Sequence, residues 1–68
     1  MRVYWPCASV MDENTVKTIS TYDSTLDLDT AMEQRKIWEN IYHSKMVAFW
    51  IDVYECESKV DRLAVFLR

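Results

Sequence analysis

The chain has no glycine and a single proline, Pro6. Tight hairpins of types I′ and II′ ordinarily use glycine, so the connections are expected to be longer and built on type I turns. Asn14 is the candidate for a positive φ. Glycine-poor loops also bring few backbone N–H groups close to a substrate. Cysteine is scarce too, and the pair present, Cys7 and Cys56, allows at most one bridge. That excludes a secreted disulfide framework, and the spacing is not that of a zinc knuckle. No apolar run approaches the ~18 residues of a membrane span, and the N-terminus lacks the pattern of a secretory leader. A reducing, cytoplasmic setting is the expectation. Basic residues are outnumbered, with a net charge of −3, which disfavours sequence-independent binding to nucleic acid or anionic membranes.

What is present describes a small globular domain. Half of the 68 residues are hydrophobic and 28% are charged, a balance that folds. The whole chain, 1–68, reads as one compact domain. A chain this short buries only about 60% of the surface it exposes when unfolded, so association is the expected additional source of stability.

The stretch Met46 to Glu57 organises the rest. Val47, Phe49, Ile51 and Val53 occupy one parity, while Met46, Ala48 and Trp50 precede Asp52 and Tyr54 on the other. A run apolar on both parities predicts a central strand covered above and below. Before it, Val3, Tyr4 and Trp5 favour a first strand, which Pro6 places at an edge or bends. Asp12-Glu13-Asn14 reads as a hairpin loop, and Thr15 to Tyr22 as a more exposed second strand. Asp27, Asp29 and Thr30 with Glu33 carry helix start signals, with Thr30 and Glu33 at capping-box spacing. From there Ala31, Met32, Gln34, Trp38, Ile41 and Tyr42 follow helical spacing for about four turns. His43 or Ser44 is expected to take the left-handed conformation at its end. Glu57-Ser58-Lys59 makes the last turn, and Val60 to Leu67 a fourth strand with Leu63, Val65 and Leu67 in one apolar row. The predicted fold is α+β: a four-stranded antiparallel sheet, in sequence order β-β-α-β-β, with one amphipathic helix packed on one face.

One helix covers one sheet face and no more. Trp38, Ile41, Phe49, Ile51, Leu63 and Val65 are assigned to the core between them. Met46, Trp50, Tyr54 and Phe66, with Ala48 and Ala64, are expected on the opposite face as a candidate interface. Their burial is worth on the order of 8 kcal/mol before ordering costs. Either the N-terminal segment folds across that face or another chain does.

The residues that carry chemistry do not assemble into a recognisable site. Cys7, Cys56 and His43 are the candidates for thiol catalysis, with buried structural cysteines as the plainer reading. Adding Asp52 or Glu55 yields no metal-ligand spacing. Those two carboxylates fall on opposite parities, so they do not pair as acid and base, and Asp52 reads as a solvated strand end. Trp50, Tyr54 and Phe66 could stack unpaired bases, yet only Arg2, Arg62 and Arg68 offer a basic rim. Asp12, Glu13, Asp23, Asp27, Asp29, Glu55 and Glu57 gather near loops, where carboxylates can imitate phosphates. The sequence is therefore read as a non-enzymatic protein-interaction module, self-associating as a homodimer, with no cofactor and no metal. An acidic nucleic-acid mimic that inhibits a nucleic-acid-binding protein is the alternative, and a small thiol enzyme comes third.

Overall fold

The computed structural model describes residues 1–67, the last by its backbone only; the Leu67 side chain and Arg68 lie outside the described residues. The elements are β1 (Arg2–Asp12), β2 (Thr15–Ser20), α1 (Leu28–Tyr42), β3 (Met46–Glu55) and β4 (Ser58–Leu67), with a 3-10 turn, His43–Lys45, leading into β3. All strand pairs are antiparallel, in the spatial order β2-β1-β3-β4. The helix packs on one face, over β1 and β3.

β1 is a central strand, so of the two expectations for Pro6, an edge position or a bend, the edge position does not hold. Pro6 is opposite Ile51 on β3, and its carbonyl accepts from the Thr21 N–H on the β2 side, at 3.4 Å. N–H and C=O of one strand residue point the same way, so the missing donor also faces β2. There the regular β1–β2 ladder has already ended at Ser20, and pairing resumes only with Tyr4 and Thr25. The chain leaves the ladder where proline cannot serve it. Because β1 is inside the sheet, it does not fold across the second face.

Both hairpin loops are two residues long, shorter than expected for a glycine-free chain. Glu13, not Asn14, takes the positive φ in the first, at 56°. Cys56 and Glu57 both do so in the second, at 51° and 69°, as a type I′ turn requires. Sheet twist selects these turns even where the residues are poor for them. His43, one of the two expected positions, closes the helix at φ 52°, ψ −129°, with its N–H donated to the Glu39 carbonyl. That region is open mainly to glycine. His43→Gly and Glu57→Gly are each expected to stabilise the domain by about 1 kcal/mol. A higher urea midpoint for both would bear this out, and an unchanged one would mean the strain is relieved elsewhere.

The helix begins where expected, and Asp27 accepts from the first-turn N–H groups as its position implied. It is the N-cap, in place of a Thr30–Glu33 capping box: its carboxylate accepts from the Asp29 and Thr30 N–H groups at 3.3 Å and from the Thr30 hydroxyl at 2.7 Å. Ala31 and Trp38 are buried, and Tyr42 completes their stripe against Ala8, Val10, Met46, Phe49 and Ile51. Leu63 and Val65 pack against the rim of this core. Ile41 does not join it and is 60% exposed. At about 100° per residue, Ile41 is turned away from the Ala31–Trp38–Tyr42 stripe.

Bulges move two more residues. Ser9 pairs with Ala48 but Val10 with Met46, so Val47 is the extra residue and Met46 swings under the helix. In β4, Ala64 pairs with Trp50 and Phe66 with Phe49, so Val65 is extra and Phe66 also faces the helix side. There the Arg35 guanidinium lies 4.5 Å from the Phe66 ring centroid. Strict alternation had placed both on the opposite face.

Candidate functional site

The sheet face away from the helix is built from one parity of each strand. Val3 stands opposite Tyr54, Trp5 opposite Asp52, Cys7 opposite Trp50 and Ser9 opposite Ala48. Arg62 and Ala64 extend these rows on β4, and Ser20 and Thr18 on β2. Of the residues expected as an interface, Trp50 and Tyr54 are here, while Met46 and Phe66 are not.

Large side chains lie across this face and cover its floor. The Trp5 indole donates to the Thr21 carbonyl at 2.8 Å, which fixes its ring. Tyr54 meets that ring edge to face, with centroids 6.1 Å apart and planes at 63°. Arg62 lies over the Trp50 ring, its guanidinium carbon 5.1 Å from the centroid. The Trp50 Nε1 is buried with no acceptor among the described residues, an arrangement that costs about 1 to 3 kcal/mol.

Asp52 occupies the centre. Far from being a solvated strand end, it is only 6% exposed. Arg62 Nε and Nη2 donate to its two oxygens at 2.8 and 3.4 Å, and Lys59 Nζ approaches to 3.4 Å. Burial pushes the carboxyl up, but hydrogen bonds and charge from Arg62, then Lys59, outweigh it and hold the pKa below its ordinary value. One carboxylate thus serves two cations. This cluster escaped sequence reasoning, although an acid inside an otherwise apolar strand, with Arg62 on the neighbouring strand, was its signal.

Beside it the Cys7 thiol points at Asp52 Oδ2, at 3.8 Å. Burial and then the Asp52 charge push its pKa up to about 11, so at neutral pH it is a thiol and a poor nucleophile. His43 and Cys56 lie beyond opposite ends of β3, which spans about 30 Å. Cys7, opposite Trp50, is about 20 Å along the sheet from Cys56. Both cysteines are free, and Cys56 is exposed rather than buried. A thiol reagent is therefore expected to titrate one cysteine in the native protein and the second only in denaturant. Cys56→Ser should abolish the native reaction; a residual fast thiol would identify Cys7 as accessible.

The remaining expectations disperse. Glu55 faces the other side of the sheet and binds Arg2 at 3.1 Å. Asp12 pairs with Lys17 at 3.5 Å, and Asp27 caps the helix. Among the described residues, no group of three or more His, Cys, Asp or Glu is placed to hold a metal, and no helix is long and apolar enough to cross a membrane. At the end of the outer face, Met1, Val3, Trp5, Tyr54, Cys56 and Glu57 line an open, mostly apolar groove of about 540 Å³. A smaller depression of about 180 Å³, between Trp5, Tyr54, Cys7, Ser20 and Asp52, adjoins it. No protein-family model matches this chain, and comparison with curated proteins and with solved structures returns no significant match.

Proposed function

We propose that the protein is a small non-enzymatic interaction module that binds a second copy of itself through the outer sheet face. The observation that carries the reading is the position of Trp5, Trp50 and Tyr54 on the face that the helix leaves open. The long and middle extents of the molecule, 38 and 20 Å, give this face about the 800 Å² that one partner contributes to an ordinary stable complex. At its centre Asp52 pairs with both Arg62 and Lys59, a cluster with one cation in excess that a partner's carboxylate would match. Two free cysteines fit a reducing compartment, and we place the protein in the cytoplasm.

Sedimentation equilibrium over a wide concentration range tests this. A reversible dimer is expected, weakened about 10- to 100-fold by Trp50→Ser or Tyr54→Ser, the cost of losing one buried aromatic. A chain that stays monomeric throughout, or variants that associate like the wild type, would overturn it.

A further inference from the structure

The groove at the end of the outer face has a composition that plain packing does not require. Two of its walls are the Trp5 and Tyr54 rings, inclined at 63° with centroids 6.1 Å apart. Val3 supplies an aliphatic wall, and among the described lining residues Glu57 carries the one charged side chain, alongside the α-ammonium of Met1. No lysine or arginine is among the lining residues. Aromatic faces carry negative potential and attract cations within about 6 Å of their centroids, most of all when the cation's methyl groups can also be desolvated. An ammonium with methyl substituents satisfies the apolar surface, the π-faces and the carboxylate together; an anion meets only the Met1 α-ammonium and leaves the rest unused, and a plain alkane leaves the carboxylate and quadrupoles unused.

We propose that this groove is a binding site for a methylated ammonium group, with Trp5 and Tyr54 as the aromatic walls and Glu57 as the counter-charge. The volume, about 540 Å³, is within the range of small-molecule sites. Preorganisation is visible in one aromatic wall and in the backbone that carries the counter-charge. The Trp5 ring is held by its N–H bond to the Thr21 carbonyl, and Glu57 sits in the two-residue turn that joins β3 to β4. The adjoining depression leads to Asp52, whose charge is taken up by Arg62 and Lys59, so Glu57 and not Asp52 faces the cation. The site rests on the groove alone and not on self-association. It does share Trp5 and Tyr54 with the proposed dimer face, so ligand and second copy compete for them.

The test is an NMR titration with choline against its neutral carbon isostere, 3,3-dimethylbutanol, using wild-type chain and the Trp50→Ser chain, which retains every lining residue. Saturable shifts at the Trp5 indole N–H and Tyr54 are expected, with choline preferred about tenfold. Tyr54→Leu, which keeps the bulk and loses the π-face, should erase that preference, and Glu57→Gln should weaken choline severalfold while leaving the isostere unchanged. Equal binding of the two compounds, shifts elsewhere on the molecule, or no saturation in either chain would overturn the site. Binding by a wild-type chain that remains monomeric would uphold the site while refuting self-association.

Discussion

Trp38→Ala should unfold the domain at neutral pH, seen as loss of the helical circular-dichroism signal and of a cooperative urea transition. Trp38 is 7% exposed and is the one large side chain that α1 buries fully in the sheet. Its ring meets Phe49 edge to face at 5.9 Å, and Phe49 is completely buried on the central strand. Removing such a ring costs about 3 to 5 kcal/mol, against a total of about 5 kcal/mol for a domain of this size. Ala31 is then the only buried helix side chain left, too small to dock fifteen residues. Ile41→Ser is the control, expected within about 0.5 kcal/mol of wild type because Ile41 is largely in water. A Trp38→Ala chain with an unshifted midpoint would show that the helix is held by other contacts.

Asp52→Asn is expected to destabilise by about 2 kcal/mol at neutral pH. The carboxylate is buried, and its loss leaves Arg62 and Lys59 without their shared acceptor; because both cations are about half exposed, water repays part of the cost. The pH dependence has a definite sign. A carboxyl whose folded pKa lies below its unfolded value, about 3.9, contributes fully above that value and loses the contribution as pH falls through the folded one. Wild-type and Asn chains should therefore differ in urea midpoint at neutral pH and converge in acid. A gap that persists below about pH 2 would assign the effect to packing instead of charge.

The architecture was legible in the sequence because hydrophobic period and turn composition agreed along most of the chain. Met46 to Glu55 is the buried central strand that its two-sided pattern implied, and the helix begins within the Asp27 to Thr30 window. Strand order was not legible. Pro6 argued for an edge, and only the departure of the chain after Ser20 shows how a central strand accommodates it. The face assignment failed at Met46 and Phe66, since bulges at Val47 and Val65 reset the alternation and leave no local mark in an apolar run. Within the candidate site, Trp50 and Tyr54 were readable from parity. Trp5 depends on β1 lying beside β3, information that pattern alone does not hold, whereas the Asp52–Arg62–Lys59 cluster lies across the β3–β4 hairpin and was missed because Asp52 was read as a solvated strand end.

The pairing of β1 with β3 sets how this chain must come together. Each outer strand joins its neighbour through a two-residue loop, so two hairpins can form from local contacts alone. The seam between them runs from Val10 and Met46 to Arg2 and Glu55, and every pair along it closes a loop of tens of residues. Zipping that seam is the slow, entropy-limited event, and the segment between β2 and α1 is its only covalent guide. Cut in that segment, the chain should yield two fragments, one hairpin and one helix-hairpin, that recover the native sheet by binding each other.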